Sequence, residues 1–193
     1  MAALDHDMSP EALLVPLGIL ELNRGATPIP QPWFLFGHSK DTSDFVADGL
    51  EMWWTERRAV HPGVTKLHIE LDNGPEIASS RTQFMKRLVE FADRHRVAIE
   101  LCYLPPYHGK YNPVERCGGI LENHWNGTLL RTVALALLWA GTMTWRKIKP
   151  LVREVAKPYE KGVRIKKAAF RPISSRLIRS GKLPKWSLSI EPQ

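Results

Sequence analysis

Residues 102–127, CYLPPYHGKYNPVERCGGILENHWNG, constrain the fold more than any other part of this sequence. An apolar run typical of a β-strand stops at two consecutive prolines, which cannot continue a strand ladder. A helix is predicted to begin at Pro113, because proline favours the first helical position. The chain must therefore pass from a strand through an irregular loop into a helix that carries Glu115 in its first turn.

Periodicity in the rest of the chain predicts alternating strands and helices. The strand within residues 65–74 alternates, with Leu67, Ile69 and Leu71 facing inward. The expected order is β-β-α-β-α-β-α, with elements near residues 13–22, 32–39, 41–58, 65–74, 79–96, 97–104 and from 113 onward. The first two strands are predicted to form an antiparallel hairpin, because a turn-rich segment separates them.

The longest apolar run, residues 132–143, is too short to span a bilayer and predicts a buried helix. The chain has two cysteines, and its N-terminal residues lack a basic segment followed by an apolar one. These features predict a cytoplasmic protein in a reducing environment, with no membrane partner.

The positive charge is concentrated near the C-terminus. The chain carries +7 overall, but residues 146–185 contain fourteen lysines and arginines against two acids. We therefore predict a core at 1–145 and a basic extension at 146–193, which indicates a polyanion partner such as DNA or RNA. A solvated, partly disordered tail is the alternative. Prolines interrupt the extension, so it is expected to bury little apolar surface and to lie along the core or hang free.

Two carboxylates lie at the ends of predicted elements, where ligand-binding sites form in open α/β sheets. Asp72 follows a predicted strand, and Glu115 begins the last predicted helix. Together they suit a hard cation such as Mg²⁺ or Mn²⁺, which prefers oxygen ligands. Each also has a structural explanation, because Asp-Asn-Gly is a common turn and the helix dipole favours an acid in the first turn.

The combination of LDNGPE, an arginine-rich helix and YLPPYHGKYNPVER closely resembles the DDE transposases of bacterial insertion sequences. In their mariner-related groups, a strand-terminal Asp-Asn precedes a PPY…NPIE motif whose glutamate is the last metal ligand. RTQFMKR, ERCGGILENHWNG and TMTW extend the resemblance to the ISAzo-type branch, over nearly the whole chain. The resemblance implies a ribonuclease H-like α/β fold, with a mixed sheet and helices on both faces. It also implies DNA transposition by metal-dependent phosphoryl transfer.

By this resemblance, Asp72 is the second catalytic acid and Glu115 the third, and both would hold Mg²⁺ or Mn²⁺. The first acid belongs on a strand ahead of the hairpin, where the only aspartates are Asp5 and Asp7 and no β-rich run precedes them. The sequence therefore predicts a truncated copy that lacks the first strand and the first catalytic Asp. The alternative is a non-catalytic remnant that still binds DNA or full-length transposase. Gly118 also departs from the family pattern, which usually has Trp after ERC.

Five basic residues are predicted to contact transposon-end or target DNA. Three of them follow from their place near Glu115, and two lie in the basic extension: His108, Lys110, Arg116, Lys166 and Lys167. Simple solvation of these side chains is the alternative.

Other chemistry finds little support in the sequence. Phosphate-loop, nucleophile-elbow and HExxH motifs are absent. A zinc site from Cys102, His108, Cys117 and His124 would match no common ligand spacing. Tryptophans in the helical stretches are expected to be core residues rather than platforms for base stacking.

Overall fold

The computed structural model describes residues 13–22, 31–105 and 112–193. The strands are β1 (Val15–Glu21), β2 (Gln31–Gly37), β3 (Lys66–Leu71), β4 (Ala98–Tyr103), β5 (Leu151–Val155), β6 (Ile178–Arg179) and β7 (Ser187–Ile190). The helices are α1 (Ser43–Arg57), α2 (Thr82–His95), α3 (Pro113–Trp125), α4 (Val133–Ala140) and α5 (Lys167–Ser174). The first seven elements follow the predicted order β-β-α-β-α-β-α.

The strands form two mixed sheets, whereas the sequence predicted one. The first sheet has the order β1-β2-β5, in which β1 and β2 form the predicted antiparallel hairpin and β5 lies parallel to β2. The second has the order β3-β4-β7-β6, in which only the β3–β4 pair is parallel. Within the described ranges, β1 and β3 are therefore edge strands, each hydrogen-bonded to a strand on one side only.

One hydrophobic core joins the two sheets beneath α1 and α2. It contains Leu35 of β2 and Ile99 of β4, together with Phe45 of α1 and Leu88 of α2, all of them buried. Burying a side chain of this size stabilises a fold by about 1.5–3 kcal/mol. The core residues of α2 occupy the amphipathic face that its sequence displays, and the sheets are held together through these helices.

A second, smaller cluster covers the opposite face of the first sheet. Successive residues of a strand point to opposite faces, and Phe34 and Phe36 of β2 therefore point away from the larger core. They pack with Cys117 and Leu121 of α3 and with Met143. The first sheet thus has helices on both faces, as predicted.

The helix predicted from the apolar run is present as α4, but the prediction that it is buried is wrong. Only Ala136 and Ala140 are buried, and Leu138 is 68% exposed. The helix packs on α3 and β5, and Leu137 packs against the smaller cluster, whereas Leu135 and Leu138 are exposed. Among the described helices, none is both long and apolar enough to cross a membrane.

The C-terminal segment is part of both sheets. β5 extends the first sheet, and β7 lies between β4 and β6 in the second. Leu188 and Ile190 of β7 and Tyr159 are buried in the larger core. The prediction that residues 146–193 bury little apolar surface and lie outside the core is therefore wrong.

Several basic residues of this segment form internal ion pairs. Arg153 pairs with Glu56 at 2.7 Å, and Lys157 pairs with Asp48 at 2.7 Å. Arg176 pairs with Asp93 at 2.7 Å. These pairs fasten the segment to α1 and α2, and part of its positive charge is therefore neutralised within the fold.

A two-residue hairpin precedes β5. Trp145 and Ile148 exchange two backbone hydrogen bonds of 2.8 Å, and the central residues Arg146 and Lys147 have φ of 48° and 68°. Two positive φ values in a two-residue hairpin are typical of a type I′ turn, which favours Asn-Gly. The left-handed conformation costs a residue with a side chain roughly 1–2 kcal/mol.

Leu188→Ala should lower the free energy of unfolding by about 2–5 kcal/mol, because it removes a side chain only 1% exposed from the shared core. Leu183→Ala is the matched control, since Leu183 lies in the same segment but is 56% exposed, and its effect should stay within about 0.5 kcal/mol. Urea denaturation of both variants measures the difference. Equal, small effects would show that β7 does not belong to the core.

Candidate active site

Asp72 lies at the point where β3 ends. The backbone before it is fixed, because the Leu71 carbonyl accepts a 2.9 Å hydrogen bond from the Leu104 amide. The chain then turns, and Asp72 Oδ1 accepts a long hydrogen bond of 3.4 Å from the Gly74 amide. Its Oδ2 accepts no hydrogen bond from any described residue, and the side chain is exposed. The carboxylate is therefore held at the strand end and remains accessible.

Glu115 lies in the first turn of α3, which begins at Pro113 as predicted. Asn112 caps this helix, since its Oδ1 accepts from the Val114 amide at 3.3 Å. The Asn112 Nδ2 also donates to Glu115 Oε1 at 3.4 Å. Asn112 is 6% exposed, so it both starts the helix and helps to orient the glutamate.

Asn112 is a residue of the site that the sequence prediction missed. An asparagine directly before a proline at the start of a predicted helix is an N-cap signal, and this signal was available in NPVER.

Asp72 and Glu115 line the same cleft. Its other walls include Pro16 and Gly18 of β1 and the outward face of α3. The cleft has a volume of about 1200 Å³, above the roughly 300–1,000 Å³ that is usual for small-molecule sites. The structure thus brings to one open cavity two carboxylates that are far apart in the sequence.

Gly118 lines the cleft as well, one helical turn after Glu115. A Cβ atom placed on Gly118 would meet no atom within 4 Å. The absence of the tryptophan that is usual in the family pattern therefore leaves open space in the cleft rather than a hole in a packed core.

A third acid, Glu122, also lines the cleft. It lies seven residues after Glu115, which corresponds to about 10 Å along the helix axis at 1.5 Å per residue. It is therefore too far along α3 to share one small cation with Glu115. Across ranges 13–22, 31–105 and 112–193, no three His, Cys, Asp or Glu residues are grouped so that they could hold a metal ion.

Asp41 adds a further negative charge near Asp72. Burial raises the pKa of Asp41, and the charges of Glu76 and Asp72 raise it further, whereas Lys161 lowers it. Like charges raise a carboxyl pKa only when they are close, so the region between β2 and α1 lies near the end of β3. No sequence signal indicates this proximity, because it depends on how the two sheets are placed.

The predicted DNA contacts are not all near the cleft. His108 and Lys110 lie outside the described residues. Arg116 follows Glu115 on α3 and is exposed. Lys166 and Lys167 stand at the start of α5, which packs on α2, and neither lines the cleft. All five residues stay predictions as DNA contacts.

The described members of the alternative zinc site do not come together. Cys117 is fully buried in the smaller cluster, and burial raises the pKa of its thiol to about 11. Cys102 lies on β4 in the second sheet, while His124 stacks on Trp139 with ring centroids 5.2 Å apart. These surroundings give Cys117 and His124 packing roles.

Comparison with known proteins supports the transposase resemblance. The model of one protein family, the Rhodopirellula transposase DDE domain, matches residues 1–192. No curated protein and no solved structure matches the chain. The family match covers both β3 with Asp72 and α3 with Glu115. This chain therefore belongs to the DDE transposase domain family.

Proposed function

We propose that Asp72 and Glu115 are catalytic carboxylates of a DDE transposase domain that cuts and joins DNA strands by metal-dependent phosphoryl transfer. The observation that carries this proposal is their position on one cleft. Membership of the DDE transposase family implies DNA as the partner. The described fold, with its mixed sheets and five helices, is compatible with the ribonuclease H-like architecture that the resemblance implies.

The two side chains suit Mg²⁺ or Mn²⁺. Mg²⁺ is usually bound through one or two carboxylates, with water and substrate phosphate completing its shell. Asp72 and Glu115 would supply these carboxylates, and Asn112 would keep Glu115 turned towards the cleft through its 3.4 Å hydrogen bond. When bound, such ions activate a water or hydroxyl nucleophile and stabilise the leaving oxygen.

We also propose that one further strand, carrying the first acid, belongs between β1 and β3. Two features support this. Among the described residues, both strands are edges of their sheets. The cleft is bounded by β1 residues Pro16 and Gly18 on one side and by Asp72 after β3 on the other. Inserting one strand here would pair both edges and unite the two sheets. An acid on it would then lie close to Asp72.

A strand in this position would be buried on both faces. β1 contributes Leu17 and Ile19 to the larger core and Leu20 to the smaller cluster. A neighbouring strand would meet both clusters, so it should be almost continuously apolar apart from its acid.

The second candidate function is that of a non-catalytic remnant that binds DNA or full-length transposase. It is favoured by one observation, namely that the described residues hold no third ligand grouped with Asp72 and Glu115. The two candidates share a fold and a DNA partner and differ in whether the chain alone performs chemistry.

Mn²⁺ binding tests the joint site. Asp72→Asn and Glu115→Gln should each weaken Mn²⁺ affinity by about tenfold or more, since losing even a second-shell partner typically costs 10–100-fold. Glu122→Gln is the matched control, because it removes the same charge from the same cleft about two helical turns away. Electron paramagnetic resonance of free Mn²⁺ measures the affinities. Equal effects of all three variants would show that the cleft attracts cations only through its net charge.

The remnant function predicts that the purified chain neither nicks nor joins DNA with Mg²⁺ or Mn²⁺. Two carboxylates hold the ions too weakly to stabilise both the attacking and the leaving oxygen. Nicking of supercoiled plasmid provides the measurement, with Asp72→Ala as the control for contaminating nucleases. Nicking that Asp72→Ala abolishes would contradict the remnant function and support the catalytic one.

A further inference from the structure

We propose that the turn between Trp145 and Ile148 is a rigid contact for the DNA phosphate backbone, made by Arg146 and Lys147. The proposal rests on DNA as the partner that the family implies. It does not depend on the roles proposed for Asp72 and Glu115.

The backbone of this turn is strained in a way that its sequence does not relieve. Arg146 and Lys147 both have positive φ. Glycine and asparagine adopt this conformation readily, whereas residues with long side chains are strained in it. A chain that needed only a tight turn would do better with Asn-Gly. Strained residues of this kind cluster at functional sites, so the two cationic side chains call for a reason other than stability.

The turn is fixed to the body of the protein on both sides. Trp145 is buried in the smaller cluster with Cys117 and Leu121 of α3. On the other side, Gln31 Nε2 donates to the Lys149 carbonyl at 3.1 Å, and Pro150 is buried before β5 begins. The cations therefore stand on a preorganised base, which lowers the entropy lost when a ligand binds.

The charges of the turn are also uncompensated. Arg146, Lys147 and Lys149 are exposed, and none of them forms an ion pair with an acid of the described ranges. The basic residues further along, such as Arg153 and Arg176, are held by carboxylates. The turn therefore offers three positive charges within four residues.

This arrangement suits phosphate oxygens. Exposed lysine and arginine side chains supply the sequence-independent part of DNA affinity by displacing counterions, and such contacts fix the register of a protein on the duplex. The Arg146 guanidinium lies 5.6 Å from the centroid of the Trp145 ring, which restrains its direction. β5 carries the chain from the turn towards the opposite end of the first sheet. The turn would therefore contact DNA that flanks the cleft.

The double variant Arg146→Asn/Lys147→Gly tests the proposal, because it should raise the thermal stability of the protein while weakening DNA binding. Relief of strain should raise Tm by about 2–4 °C or more for a chain of this size. The slope of log affinity against log salt should become less negative by about 1.8, because each phosphate that a cation neutralises adds roughly 0.9 to its steepness. Anisotropy of a labelled duplex of arbitrary sequence, in EDTA and over a series of KCl concentrations, gives the slope without any metal.

Two control variants separate strain from charge. Arg146→Ala/Lys147→Ala should show the same change of slope without the gain in Tm. Lys66→Gln/Arg96→Gly also removes two exposed charges. It relieves the backbone strain at Arg96, which has a left-handed conformation (φ 52°) between α2 and β4 of the second sheet. It should raise Tm and leave the slope unchanged.

An unchanged slope in Arg146→Asn/Lys147→Gly would overturn the proposal. An equal change of slope in Lys66→Gln/Arg96→Gly would also overturn it, because net charge would then explain both results. A Tm that does not rise in Arg146→Asn/Lys147→Gly would refute the claim that the turn keeps a strained backbone in order to present its cations for binding. Loss of Mn²⁺ binding in the carboxylate variants would leave each of these outcomes unaffected.

Discussion

The hydrophobic core shared by the two sheets is the constraint on which the candidate site depends. Asp72 belongs to the end of the second sheet, and Glu115 belongs to a helix packed on the first. β1 and β3 do not hydrogen-bond to each other, so no backbone ladder between these two strands joins the sheets. The two sheets keep their relative position because Leu35 and Ile99 pack into one cluster beneath α1 and α2. Loosening that cluster would separate the carboxylates without touching either of them.

The basic C-terminal segment serves the fold in part and remains available for DNA in part. Lys157 and Tyr159 from this segment, together with Arg87 of α2, bond to Asp48 of α1. Burial alone would raise the pKa of Asp48, but these hydrogen bonds lower it overall. A lowered pKa in the folded state means that this network stabilises the protein above the pKa of an unfolded aspartate and is lost as pH falls through the folded value. No acid in the described part of the chain pairs with the cations of the turn before β5.

Local features of the structure were predictable and long-range pairings were not. The hairpin and the start of α3 at Pro113 follow from short-range rules of periodicity and capping. The placement of β5 depends on a partner strand more than a hundred residues away, and that of β7 on one about ninety residues away. The sequence of β7, SLSI, is also too short to be recognised as a strand within a basic segment. Asp72 and Glu115 were predicted because each stands at an element boundary, whereas the proximity of Asp41 arises only from the packing of the sheets.

Iron-directed backbone cleavage tests most directly whether Asp72 and Glu115 form one cation site. Fe²⁺ in place of Mg²⁺, with ascorbate and peroxide, produces radicals that cut the chain beside the bound ion. The account predicts cuts near both Asp72 and Glu115, and the loss of both cuts in either Asp72→Asn or Glu115→Gln. A cut near one acid that survives removal of the other, or cleavage at only one of the two positions, would contradict a joint site.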